Sequence, residues 1–147
     1  MAKYLVTGVA GFIGAAIAKR LLDDDHDVLG IDNLSTGYIS HVPAGVHFYE
    51  MSVHNIEVLK ILKIHNFEAI FHIAGQSGGE LSYADPIYDL QSNAQSTLLL
   101  LKYASESQCK KIIYASTVSV YGEPKTCLNI PETEVLNPKS FYGVGKL

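Results

Sequence analysis

A doubly wound α/β domain built on a parallel sheet is the fold class this sequence predicts, and three observations predict it. Short apolar runs of strand length alternate with segments of helical period along the chain. The runs are apolar throughout rather than alternating, as strands covered on both faces require. Three glycines, Gly8, Gly11 and Gly14, stand between the first apolar run and the first helical segment, where a tight strand-to-helix turn needs residues without side chains.

A single domain over residues 1–147 is expected, since a chain of this length can bury a core of its own. With 48% hydrophobic and 18% charged residues, it reads as globular and not disordered. The formal net charge is −4, and Lys19-Arg20 and Lys110-Lys111 are the only adjacent basic pairs. Electrostatic binding to nucleic acid is therefore not expected. Cys109 and Cys127 lack metal spacing and read as reduced thiols, so no metal site is expected. No run approaches the ~20 apolar residues of a membrane span. Lys3 to Ala18 loosely imitates a signal peptide, but its glycines are poor material for the apolar segment of one. A cytoplasmic location without membrane association follows as the expectation.

The elements come in order. Tyr4-Leu5-Val6 is the first strand, and Phe12 to Asp23 the helix after the glycines. Asp27 to Ile31 is the second strand and Val46 to Tyr49 the third. Between them, Asn33 to Gly45 is polar and punctuated by Gly37 and Pro43, which predicts loop or broken helix. Ile56, Leu59, Ile61, Leu62 and Ile64 recur at helical spacing and predict the next helix. Ala69 to Ile73 is the fourth strand, with His72 read as a packed strand-end residue and not a ligand. A long helix opens at Asp85-Pro86, Asp as cap and Pro at the first helical position, and runs to about Ser107. Leu98 to Leu101 are apolar almost all round, as in a helix buried on more than one side. Lys111 to Ala115 is the fifth strand. Right-handed crossovers between such elements give a Rossmann-type sheet of at least five strands in the order 3-2-1-4-5.

In that fold the glycine loop is a phosphate cradle. Gly8 takes the tight turn, Gly11 lets backbone approach a pyrophosphate, and Gly14 permits close packing of helix on strand. The uncapped amides and positive dipole end of the helix face the phosphates. Asp32 follows Gly14 by eighteen residues, at the end of the second strand. A carboxylate there accepts hydrogen bonds from both adenosine ribose hydroxyls and repels a 2′-phosphate, so the expected cofactor is NAD rather than NADP.

Near the other end, Tyr142 and Lys146 form Y-x-x-x-K, followed only by Leu147. Residues four apart on a helix share a face. A phenol with the reference pKa of ~10 is a poor base at neutral pH. A nearby ammonium favours the phenolate form. Tyr142 is thus the candidate proton acceptor, with Lys146 beside it and Thr117, just beyond the fifth strand, as a third candidate.

Five ordered motifs now stand along the chain, and with them it resembles the extended short-chain dehydrogenase/reductase family, specifically its nucleotide-sugar epimerases and dehydratases. Thr7 to Gly14 is similar to that family's T-G-x-x-G-F-I-G loop, which brings in Phe12 and Ile13. Asp32-Asn33-Leu34-Ser35-Thr36-Gly37 resembles the D-N-L-S-T-G of UDP-glucose 4-epimerases. Phe71 to Gly75 is similar to the F-H-x-A-[AG] strand end, so Ile73, Ala74, Gly75 and the following Gln76 are expected beside the cofactor. Asn93 with Thr97 matches N-x-x-x-T, and Ser116 to Gly122 matches S-[ST]-x-x-V-Y-G. Relatives often carry G-D after the third strand, the Asp contacting adenine. Met51-Ser52 stands there, with Val53 next, so Ser52 is a weaker adenine contact. The 4,6-dehydratases carry D-E where this chain has Val118 and Ser119, which disfavours that reaction.

The resemblance implies an NAD-dependent UDP-hexose 4-epimerase acting through a 4-keto sugar, with a nucleotide sugar as substrate. It also implies a homodimer through the helix over 85–107. The chain would be the cofactor-binding part, ending inside the helix after strand five and lacking a C-terminal substrate domain. That final helix, Ser140 to Leu147, is below the ~12–15 residues of marginal isolated stability, so its geometry depends on packing or a partner. Two alternatives remain open on the sequence: a truncated NAD-binding module without turnover, and an NAD-dependent nucleotide-sugar oxidoreductase or dehydratase.

Overall fold

The computed structural model describes residues 1–123 and 129–147, and Cys127 lies outside the described residues. Five strands run β1 (Lys3–Thr7), β2 (Asp27–Asp32), β3 (His47–Glu50), β4 (Ala69–His72) and β5 (Lys111–Tyr114). They pair in the order β3-β2-β1-β4-β5, every pair parallel. Leu5 stands in register with Leu29 on one side and Ile70 on the other, so the central strand is flanked by apolar partners. Helix α1 (Phe12–Asp23) packs Ala18 against Val6, Val9 and Val28 on one face of the sheet. The other face buries Leu5, Leu29, Ile31, Ile70 and Leu100 among the residues of α2 (Val58–Leu62) and the long helix.

The long helix is in three pieces. Asp85 accepts a hydrogen bond from Tyr88 N and caps α4 (Pro86–Leu90), as its sequence requires. A π-helical turn over Gln91–Gln95 follows, then α5 (Ser96–Glu106). The π turn is fixed by side chains bonded back into the ladder. Ser96 Oγ donates to Ser92 O at 2.6 Å and Thr97 Oγ1 donates to Asn93 O at 2.6 Å. Burial of Leu98 to Leu101 is one-sided, against expectation. Leu100 is fully buried, while Leu98 and Leu101 are 64% and 48% exposed, because only one flank of α5 meets the sheet.

The smaller elements depart from the sequence reading in part. Helix α3 (Gly79–Ala84) forms in a stretch to which the sequence reading assigns no element, while a 3₁₀ turn at Ile39–His41 lies in the segment read as loop or broken helix. The second helix is shorter than its apolar period, since Ile56 and Ile64 are both exposed and lie outside it. The last helix, α6, spans Phe141–Gly145, with Lys146 just past its end.

Candidate active site

The chain leaves β1 toward β2 on one side and returns to β4 on the other, so a crevice opens above the C-terminal ends of β1 and β4. Gly8 has φ +71°, and a Cβ there would lie 2.7 Å from Ala74 N. A Cβ on Gly14 would lie 2.0 Å from Gly8 O, so α1 touches the loop backbone directly. Gly11 caps α1 without a side-chain hydrogen bond, leaving first-turn amides to the cleft. Asp32, 9% exposed, accepts from Ala10 N at 3.0 Å through Oδ2 and from Leu34 N at 2.8 Å through Oδ1. It therefore ties the glycine loop to the segment after β2 while keeping free lone pairs on both oxygens. Asn33 Nδ2 donates to Ser52 Oγ at 3.0 Å, joining that segment to the turn after β3.

One cleft of about 330 Å³ gathers Gly8, Gly11, Phe12, Ile13, Gly14, Asp32, Asn33, Ser35, Thr36, Gly37, Ser52, Val53, Ile73, Ala74 and Gly75. It also takes Met51, His54, Ser77, Tyr88, Ser92 and Ser96, which the sequence reading left out. Tyr88, Ser92 and Ser96 come a helical turn apart on the long helix, a spacing that becomes informative only once that helix is placed at the cleft. Gln76 does not line this cleft. Its side chain is buried and closes on its own loop, Nε2 donating to Gly78 O at 2.7 Å while Oε1 accepts from Gly78 N.

His72 joins the strand ends to the long helix. Thr7 Oγ1 accepts from Ile73 N and Ala74 N at 3.2 and 3.1 Å, so its own proton goes to His72 Nδ1 at 2.8 Å. That leaves the proton of His72 on Nε2, 3.2 Å from both Ser96 Oγ and Thr97 Oγ1. Burial, followed by the charge of Lys146, pushes the imidazole down to about 3. It is a neutral structural histidine, as expected for a packed strand end.

Of the other candidates, Asn93 and Lys146 sit behind the Gly75 wall. Ser140 Oγ accepts from Gly143 N at 3.0 Å and caps α6. Tyr114 donates to Gly145 O at 3.2 Å and Ser116 to Lys146 O at 2.9 Å, pinning the end of α6 to the top of β5. Tyr83 donates to Lys139 O, holding the approach to α6. Packing, not helix length, holds this element. Tyr142 lies half-buried on α6. Lys146 has left the helix, and its Nζ stands 4.8 Å above the Tyr114 ring. Burial pushes this ammonium down to about 8, while the charge of Asp89 opposes the shift. Thr117 caps a 3₁₀ turn (Val118–Tyr121), accepting from Ser119 N at 3.2 Å with Ser119 Oγ at 3.3 Å. Asn93 is fully buried and donates to Asp89 Oδ1 at 3.1 Å. The structure thus brings Asn93 and Lys146 together at Gly75 and adds Tyr114 and Asp89, neither of which the sequence singled out.

Comparison with known proteins gives consistent findings. A family model described as the NAD dependent epimerase/dehydratase family matches residues 4–147. The UDP-glucose 4-epimerase of Streptomyces lividans is 32% identical over 147 residues, covering 99% of this chain and 44% of that protein. The crystal structure of the Thermotoga maritima UDP-glucose 4-epimerase with UDP-glucose superposes with a TM-score of 0.93 at 36% identity, covering 98% of this chain and 47% of the other. That of the Thermus thermophilus UDP-glucose 4-epimerase with NAD gives 0.90 at 34% identity, over 98% and 47%. The chain spans less than half the length of these relatives.

Proposed function

This chain belongs to the NAD dependent epimerase/dehydratase family, and from that premise we propose that it is the cofactor-binding part of a nucleotide-sugar epimerase of the UDP-hexose 4-epimerase type. NAD is the cofactor of the family, and the cleft fits it. The uncapped first turn of α1 and the close-packed glycine loop suit a pyrophosphate, and buried Asp32 suits the ribose diol while repelling a 2′-phosphate. When bound there, NAD supplies a reversible hydride acceptor.

The residues of the chain do the rest. Tyr142 would take the proton of the sugar C4 hydroxyl as the C4–H bond gives up its hydride to the acceptor that NAD would supply, and return of that hydride to either face of the 4-keto sugar, with the proton handed back by Tyr142, would give either configuration. Lys146 places a positive charge behind the Gly75 wall of the cleft. Thr117 offers its hydroxyl to the same substrate oxygen, exchanging its 3.3 Å contact with Ser119 Oγ for the sugar. Val118 is 67% exposed and has no acid–base group, which supports epimerisation over the elimination of water. The observation that carries the reading is the meeting of buried Lys146 with Gly75, a residue of the Asp32-bearing cleft.

Ile87, Leu90, Leu98 and Leu101 are each 48–64% exposed along the long helix, which supports the second part of the proposal, a homodimer through residues 85–107. Among the described residues no helix is long and apolar enough to cross a membrane. A cytoplasmic site of action is part of the same proposal, and Cys109 is a free thiol. The test is conversion of UDP-hexoses by the whole protein that carries this chain. Tyr142→Phe should lower turnover by at least ~10²-fold while NAD binding, followed by calorimetry, stays unchanged. Undiminished turnover would overturn the assignment.

A further inference from the structure

Asp89 is the least expected residue of the site. It sits on α4, 1% exposed, among neighbours that are themselves buried: Asn93 at 0% and Lys146 at 4%. A buried carboxylate or ammonium is costly unless charge or hydrogen bonds answer it. Here the two are brought together by small residues. A Cβ on Gly145 would lie 3.5 Å from Asp89 Oδ2 and 3.2 Å from Asn93 Cβ, so α6 packs close against the long helix at Gly145. A Cβ on Gly75 would lie 2.5 Å from Asn93 Oδ1 and 2.8 Å from Lys146 Nζ. The amide oxygen and the ammonium therefore converge on the same spot of the cleft wall. Among the described residues Asn93 Oδ1 has no hydrogen-bond partner, and its orientation is set from behind, by Nδ2 donating to Asp89 Oδ1.

The groups facing Lys146 come from every element packed on it. β5 contributes the Tyr114 ring. β4 contributes His72, which is neutral, and α4 contributes Asp89. Asp89 is the one carboxylate acting on Lys146 among the described residues. We propose that Asp89 is a positioning residue, the buried counter-charge that orients Asn93 and holds the Lys146 ammonium at the Gly75 wall of the cleft. It does not line the cleft and works through Lys146, so its role in turnover rests on the reading above.

The coupling is reciprocal. Burial raises the Asp89 carboxyl, while the Asn93 hydrogen bond and the charge of Lys146 pull it down. Lys146 in turn stands near 8, held up by Asp89 against burial. The experiment is an NMR titration of the lysine side chains and carboxyl carbons of the chain without NAD. In the unaltered chain the Asp89 carboxyl resonance should move as Lys146 titrates near 8. Asp89→Asn, nearly isosteric and still able to accept from Asn93, should lower the Lys146 titration by about one pH unit or more. Asp89→Glu should restore it in large part.

An Asp89 resonance blind to the Lys146 titration, or a Lys146 titration unmoved in a folded Asp89→Asn chain, overturns the proposal. Should Asp89→Asn fail to fold, the unaltered chain and Asp89→Glu still decide it. Calorimetric titration with NAD separates this result from the functional reading. Absent NAD binding with the expected Lys146 shift sinks only the function, and NAD binding with no shift sinks only the role of Asp89.

Discussion

The two ends of the cleft are built by different means. Around Gly8, Gly11, Gly14 and Asp32 the contacts are mostly backbone and mostly local. Gly8 N bonds Ile31 O, Gly11 N bonds Gly8 O, and Asp32 holds Ala10 N and Leu34 N. Around Lys146 nearly every contact is a side chain from somewhere else: Tyr114 and Ser116 after a gap of thirty residues, Asp89 and Asn93 after more than fifty. The first region is shaped by which atoms are missing, since a Cβ would close it. The second is shaped by which charges are present and what answers them. An end made of backbone should fail by steric insult, and an end made of buried polar side chains should fail by small changes in charge.

Gly14→Ala breaks the first region most directly. The new Cβ would stand 2.0 Å from Gly8 O, which is backbone and cannot swing aside. The expected cost is ~3 kcal/mol of stability, by denaturant unfolding, and NAD affinity should fall at least tenfold. The Lys146 titration should change little in whatever fraction folds. An unaltered melting temperature and NAD affinity would mean that the loop is not held by the helix contact.

The same contrast decides what was legible in the sequence. Strand-length apolar runs and the glycine spacing are local signals, so the sheet order, the span of α1 and the Asp32 end of the cleft could all be read before any coordinates. The Lys146 end could not. Asp89 carries no signal of its own in the sequence, and its burial comes from tertiary packing, with α6 against it at Gly145. The π turn over Gln91–Gln95 has no composition of its own, since it depends on Ser96 and Thr97 bonding back to Ser92 and Asn93. Leu98 and Leu101 look like core by identity, and their exposure is a consequence of where α5 meets the sheet. Gln76 fits the cofactor motif by position, yet its amide is consumed by Gly78.

His72 lies between the two regions, its Nδ1 serving the strand ends and its Nε2 the long helix, so protonating it should loosen both. Held neutral in the folded chain with a pKa near 3, it binds fewer protons than an unfolded histidine at its ordinary 6.5. Its stabilising effect is complete above pH 6.5 and is lost as the pH falls from 6.5 toward 3. The slope is ~1.4 kcal/mol per pH unit, or about 2 kcal/mol by pH 5. Denaturant unfolding at several pH values measures it. A Thr7→Val chain, which removes the hydroxyl at Nδ1, separates this effect from titration of surface carboxylates. Stability that is flat between pH 6.5 and 5 would place the acid sensitivity elsewhere.

The smallest expected effect tests whether the two regions are separable at all. Ser116→Ala removes one hydrogen bond, the 2.9 Å contact that holds the carbonyl of Lys146 beside β5. Its neighbour Tyr114 still donates to Gly145 O, so α6 should stay docked and stability should fall by only ~1 kcal/mol. NAD affinity should be unchanged, because Ser116 has no contact with the glycine loop or Asp32. Turnover of the whole protein should nevertheless fall several-fold, since Tyr142 and Lys146 ride on a helix end held by one bond fewer. Equal losses in NAD affinity and turnover would mean that the cofactor loop and the reacting end are one cooperative unit, joined through His72, and not two regions that can be broken independently.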